Sequence, residues 1–257
     1  MIKSYKISVP KSTLNNIFKK VKNYPWKMIE NVNGWEYGTN YDFLKKISRY
    51  WVSRYNWKKF ENKINSFKNY KTKVDGINLH FIKEKSKNPK SRPLLLLHGW
   101  PGSVIEFFDI IPRLAHPEKF GGKIEDGFDV IVPSLPGFGF STPIKRALGP
   151  RKIGKILNKF MVKNLGYKNY VVQGGDWGAT VASWIGFDSA KNCKGIHINC
   201  LPIRHPRGPK NINEKNWEKK FNFDQITQEG YRTQQATKPQ TLSYAMIDSP
   251  VGTAAWI

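Results

Sequence analysis

Acidic residues are scarce in this 257-residue chain: 19 Asp and Glu stand against 43 Lys and Arg, a formal net charge of +24 at pH 7. Cysteine is scarcer still. Cys193 and Cys200 fall in one apolar segment, which excludes a disulfide framework. No apolar run approaches the roughly 20 residues that cross a bilayer, so no transmembrane segment is expected. The opening "MIKSYKISVPKSTL" lacks the apolar stretch of a signal peptide, and a soluble, cytoplasmic protein is expected. Zinc-finger spacing and an RNP-type aromatic motif are also missing. The positive charge is mostly lysine scattered among Asn and Ile, with 21 of the basic residues in the first 90 positions. That distribution describes a solvated basic surface, and no nucleic-acid partner is expected.

What the chain does hold is a globular composition, 39% hydrophobic and 14% aromatic, in three stretches. Residues 1–72 are rich in helix signals and aromatic residues, with Leu44, Ile47, Trp51 and Tyr55 at helical spacing and "GTNYDFLKK" as a helix start. Such an aromatic stripe is core or interface before it is a ligand cage. From residue 73 to 201 the pattern changes. Asp75-Gly76 marks a hairpin turn, and the apolar runs "PLLLLHG", "FDVIVPSLPG", "NYVVQGG" and "CKGIHINCL" alternate with helical segments. Continuous apolar strands alternating with helices predict an α/β fold, a doubly wound and mostly parallel sheet covered on both faces. Residues 202–257 read as a polar, helical excursion over the sheet.

Two motifs carry chemistry. Gly174-Gly175-Asp176-Trp177-Gly178 has the glycine–x–nucleophile–x–glycine form of a strained strand-to-helix corner, with a carboxylate where a serine is usual. A carboxylate needs no base to activate it and suits displacement at a saturated carbon. Asp is also a common helix N-cap, and the five residues alone leave nucleophile and cap equally open. The second motif is His98-Gly99-Trp100-Pro101-Gly102, closing the strand "LLLL". In a doubly wound sheet the site lies at the carboxyl ends of the strands, so this loop and the corner would face each other. The backbone N–H groups of Trp100 and Trp177 would then form an oxyanion hole serving a covalent aspartyl ester. His98, just before the tight loop, is read as a brace rather than a base.

"HGWPGS", "PSLPGFGFS", "GGDWGA" and "TKPQTLSYAMIDSPVGTAAWI" together resemble the microsomal-type epoxide hydrolases, a branch of the α/β-hydrolase superfamily. "GWEYG", "YWVSRYNW" and "VDGINLHFI" resemble that family's N-terminal extension, and the likeness runs from about residue 4 to the end. The resemblance implies an α/β-hydrolase core with a helical extension and a partial lid. It implies trans-addition of water to a small apolar epoxide, giving a vicinal diol, with no cofactor and no metal, in detoxification of xenobiotics. A homodimer is kept open. Residue by residue, the family's nucleophile falls on Asp176, its oxyanion donors on Trp100 and Trp177, and one of its two lid tyrosines on Tyr231. Tyr244 lies nearby but off the family's position.

The pattern departs at its end. The family's general-base His and acidic partner follow the lid, and His80, His98, His116, His197 and His205 match neither position. The second lid tyrosine is also absent. The expectation is a C-terminally truncated chain that lacks the base for turnover and leaves a sheet edge unpaired. Two other functions stay open: a haloalkane dehalogenase-like hydrolase, which shares the Asp-Trp corner, and a catalytically inactive binding module.

Overall fold

Three apolar runs lie side by side and parallel in the computed structural model, which describes residues 1–32, 34–201 and 207–257. His205 therefore lies outside the described residues. The strands are β1 (Lys3–Ser4), β2 (Asn69–Val74), β3 (Ile77–Glu84), β4 (Arg92–Leu97), β5 (Phe128–Pro133), β6 (Tyr170–Gly174) and β7 (Cys193–Ile198). The helices are α1 (Lys11–Lys22), α2 (Tyr41–Ser53), α3 (Trp57–Asn65), α4 (Ile111–Ala115), α5 (Pro150–Lys159), α6 (Trp177–Asp188), α7 (Ile212–Gln228), α8 (Gly230–Thr237), α9 (Pro239–Asp248) and α10 (Pro250–Trp256). The chain forms two compact units, Met1–Ser8 with Lys58–Pro202, and Val9–Trp57 with Ile203–Ile257.

The first unit is built on one sheet of order β1-β2-β3-β5-β4-β6-β7. β1 to β3 pair antiparallel, as does β3 with β5, while β5, β4, β6 and β7 run parallel. The hairpin between β2 and β3 turns at Asp75 (φ 47°) and Gly76 (φ 83°). Two consecutive positive φ values make the tight turn whose twist matches the strands. Leu94 to Leu97 and Val130 to Val132 are all buried, as a parallel strand covered on both faces requires. On one face Leu95, Leu97, Ile131 and Val172 meet Ile153, Ile156 and Leu157 of α5 and Val181, Ala182 and Ile185 of α6. The α/β class expected from the strand pattern is the one observed. β1 was not legible: two residues, both exposed, carry no periodicity. At the other edge β7 pairs with β6, and Ile196 is 45% exposed. Cys193 is buried, Cys200 exposed, and both are free thiols.

The second unit joins segments from both ends of the chain. Val21 of α1, Leu44 of α2 and Val251 of α10 form its buried centre, with Ile17, Tyr24, Trp26, Trp51, Ala254 and Ala255 packed around them. Side chains set the helix starts. Asn40 Oδ1 accepts from Phe43 N–H at 2.9 Å, and Ser249 Oγ accepts from Gly252 N–H at 2.9 Å. At α7, Asn211 and Glu214 cap each other reciprocally, with Asn211 Oδ1 accepting from Glu214 N–H at 2.9 Å and its amide donating to Glu214 Oε1 at 2.9 Å. Lys20 reaches Asp248 Oδ1 at 2.5 Å, tying α1 to the end of α9. The predicted aromatic stripe differs in detail. Leu44 and Ser48 are buried and Trp51 packs inward, whereas Ile47 is exposed and Tyr55 lies beyond the end of α2.

Candidate active site

The register of the sheet makes the site. Leu97, the last residue of β4, pairs with Gly174, the last of β6, so the loops that leave these strands start side by side. The first is His98–Ser103 and the second is Gly175-Asp176, which turns straight into α6. Glycine is required where these backbones cross. A Cβ at Gly174 would lie 2.2 Å from the carbonyl oxygen of Gly178, and one at Gly178 would lie 2.1 Å from that of Leu97. The helix therefore leaves the strand at a distance that no side chain survives.

Asp176 holds the corner with φ 49° and ψ −123°, a left-handed conformation that costs a non-glycine residue about 1–3 kcal/mol. It occupies the N-cap position of α6, yet its side chain accepts no hydrogen bond from the first turn of that helix. The carboxylate points across to the other loop, where Oδ1 accepts from the Trp100 N–H at 2.8 Å. A Cβ on Gly99 would sit 2.3 Å from the same oxygen, so Gly99 clears the space that the carboxylate fills. Asp176 thus stands at the N-cap position without making the side-chain bond of a cap. Trp177 is the first residue of α6, so its N–H has no acceptor within the helix.

His98 is fully buried, and both ring nitrogens are engaged. Nδ1 is 3.0 Å from the Gly99 carbonyl oxygen, and Nε2 is 3.0 Å from the backbone nitrogen of Leu135. The Leu135 N–H can only donate, so Nε2 accepts and Nδ1 carries the proton. The imidazole thus ties the His98–Ser103 loop to the segment after β5. Burial lowers its pKa, outweighing the Gly99 hydrogen bond and the nearby Asp176 charge that act in the opposite sense. His98 is a brace.

The other described histidines are accounted for elsewhere. His80 is buried between Ser134 Oγ and Asn69 Oδ1, each at 2.9 Å, and His116 meets Glu84 Oε1 at 3.1 Å. His197 lies on the exposed face of β7. Tyr231 and Tyr244 belong to the second unit, on α8 and α9, and are 49% and 69% exposed. Two residues near the corner had no signal in the sequence. Asn199, just after β7, donates its N–H to the Gly174 carbonyl at 3.3 Å, and its Oδ1 lies where a Cβ at Gly175 would come within 2.6 Å. Glu106 lies beside Gly102, where a Cβ would meet its Oε1 at 1.5 Å. Among the described residues, no cluster of His, Cys, Asp and Glu is arranged to hold a metal ion.

A parallel sheet that ends in a strained carboxylate corner facing a backbone N–H loop defines an α/β-hydrolase with an aspartate in the elbow. The alpha/beta hydrolase fold model matches residues 92–246, and the epoxide hydrolase N terminus model matches residues 2–107. A Stigmatella aurantiaca protein bearing an epoxide hydrolase name is 40% identical over 260 residues, covering 100% of this chain and 59% of its own length. Epoxide hydrolase 1 of Oryctolagus cuniculus is 34% identical over 281 residues, covering 100% of this chain and 61% of its own. Among solved structures, juvenile hormone epoxide hydrolase from the silkworm Bombyx mori superposes with a TM-score of 0.88 at 31% identity, over 100% of this chain and 65% of that one. Aspergillus niger epoxide hydrolase gives a TM-score of 0.88 at 28% identity, over 100% and 68%. The chain belongs to the alpha/beta hydrolase fold family and is similar within it to the epoxide hydrolases. It spans 59% and 61% of the length of the Stigmatella and rabbit relatives.

Proposed function

We propose that the chain acts in epoxide hydrolysis, with Asp176 as the nucleophile that is alkylated in the first step. The observation that carries this is the carboxylate itself: held at a strained corner, it leaves the helix it should cap and accepts the Trp100 N–H through Oδ1. Oδ2 is then the oxygen that attacks. Its lone pair forms a C–O bond to one epoxide carbon, that carbon's bond to the ring oxygen breaks, and the pair leaves on the oxygen as an alkoxide. A phenol donates the proton that neutralises it, and the resemblance to the epoxide hydrolases assigns this to Tyr231. The product is an alkyl ester of Asp176.

Water next adds to the carbonyl carbon of that ester, leaving negative charge on Oδ1. Trp100 N–H already points at this oxygen, and Trp177 N–H is the second donor of the proposed hole. Collapse releases the diol and restores the carboxylate with one oxygen taken from water. Activation of that water needs a base; His80, His98 and His116 are engaged with other partners, and His197 lies exposed on β7 opposite Gln173. The substrate class is a small apolar epoxide, a reading supported by the family.

Exposing the 257-residue chain to a styrene-type epoxide and, separately, to a primary bromoalkane tests the assignment. Loss of epoxide without halide release from the bromoalkane is expected. Halide release with the epoxide untouched would overturn it.

A further inference from the structure

Asn69 opens β2, His80 lies within β3 and Ser134 follows the end of β5, and all three are buried. Their hydrogen bonds run in one direction. The Asn69 side-chain nitrogen donates to the Ile64 carbonyl at 2.9 Å and the Phe67 carbonyl at 2.8 Å, so Oδ1 is the atom left to accept. His80 Nε2, 2.9 Å from that oxygen, must then carry the ring proton, and Nδ1 accepts from the Ser134 hydroxyl at 2.9 Å. Burial closes this serine to any substrate, so the arrangement serves geometry.

What it holds is the Ser134–Leu135 peptide. Ser134 N–H donates to the His80 carbonyl at 3.0 Å, and His80 N–H donates to Ser141 Oγ at 2.9 Å. The Ser141 hydroxyl donates in turn to the Ser134 carbonyl oxygen at 2.7 Å. The other end of that same peptide is the Leu135 N–H, which donates to His98 Nε2 at 3.0 Å. His98 Nδ1 bonds the Gly99 carbonyl, and the next residue supplies the Trp100 N–H that Asp176 accepts.

We propose that Asn69, His80 and Ser134 are positioning residues: they hold the Ser134–Leu135 peptide against His98 and so keep Trp100 N–H aimed at Asp176. Its bearing on alkylation rests on Asp176 being the nucleophile. One peptide thus stands between two histidines with opposite tautomers, His80 protonated on Nε2 and His98 on Nδ1. Removing the Ser134 hydroxyl leaves His80 Nδ1 buried without its donor and loosens the peptide. His98 then loses the fixed partner that sets its tautomer.

The test reads imidazole nitrogen shifts in chain labelled with nitrogen-15 histidine, for wild type, Ser134→Ala and Ser134→Thr, which restores a hydroxyl. Tyr170→Phe is the control, because it removes a buried hydroxyl bonded to Asn158 Oδ1 at 2.7 Å, outside this set of bonds. Wild type should show the two opposite tautomers, a result that needs no variant. In Ser134→Ala the His98 shifts should move toward a tautomer mixture and amide exchange at Leu135 and Trp100 should quicken. The burst of adduct formation on a styrene-type epoxide should slow about tenfold, the scale of one lost hydrogen bond. Ser134→Thr should recover all three, and Tyr170→Phe should move none. One tautomer shared by both histidines, wild-type His98 shifts in Ser134→Ala, or equal effects in Tyr170→Phe would overturn the proposal. If wild type forms no adduct at Asp176, the nucleophile assignment fails, and the shifts and amide exchange still decide whether Ser134 holds His98.

Discussion

The backbone N–H of Trp100 donates to Oδ1 of Asp176 at 2.8 Å across 76 residues of sequence. The bond exists because β4 and β6 are neighbours, with Leu97 opposite Gly174, and because glycines let the two loops close on each other. It engages one oxygen of the carboxylate, Oδ1, with a backbone donor, and the proposed attack is assigned to the other oxygen, Oδ2.

The corner should fail when its closest approach is filled. Gly178→Ala places a methyl group 2.1 Å from the Leu97 carbonyl oxygen, against backbone that has no freedom to retreat. Overpacking of this kind costs about 1–3 kcal/mol or more. Thermal denaturation should show a clear fall in Tm, accompanied by loss of epoxide labelling. An unchanged Tm would mean that α6 does not leave β6 as closely as described.

Stability should fall with pH through the histidine range. His80 is fully buried, and burial, helped by Lys71, lowers its pKa from 6.5 to about 3. Below pH 6.5 the unfolded chain binds a proton there that the folded chain refuses, so the folded state loses ground as pH drops, until about pH 3. At pH 5 the loss from this one group is about 2 kcal/mol. His98, shifted in the same direction, adds to it. Denaturant titrations at pH 7.5 and 5 should show the decline, and it should be smaller in His80→Gln. A stability that is flat over this range would show that His80 protonates freely in the fold.

Tyr231 should matter to ring opening and not to folding. It is half exposed on α8, so Tyr231→Phe removes one hydroxyl at little structural cost. Loss of a general acid typically slows the step about 100-fold. Rapid-quench measurement of adduct formation reads this directly. An unchanged rate would make Tyr231 a packing residue.

The parts of this molecule that were legible in the sequence are those fixed by neighbours along the chain. The buried strands announce themselves as runs such as Leu94–Leu97, the hairpin as Asp75-Gly76, and the corner as glycines at fixed offsets around Asp176. What stayed hidden depends on distant pairing. Val21 and Leu44 share a core with Val251, some two hundred residues away, and no local pattern records that. Ile47 sits at helical spacing with Leu44 and Trp51 yet faces outward, because the buried stripe of α2 runs through Ser48 instead. Glu106 had no motif to mark it, since it meets Gly102 only once the chain folds back over the loop.

The central claim is that Asp176 is the atom-level point of attack, and adduct mapping tests it most directly. The chain is incubated with a styrene-type epoxide, quenched, digested and sequenced by mass spectrometry, in parallel with Asp176→Asn. One substrate mass on the peptide carrying Gly174-Gly175-Asp176-Trp177, localised to Asp176 and absent from the variant, is the predicted result. Label on another residue, or undiminished label in Asp176→Asn, would contradict it.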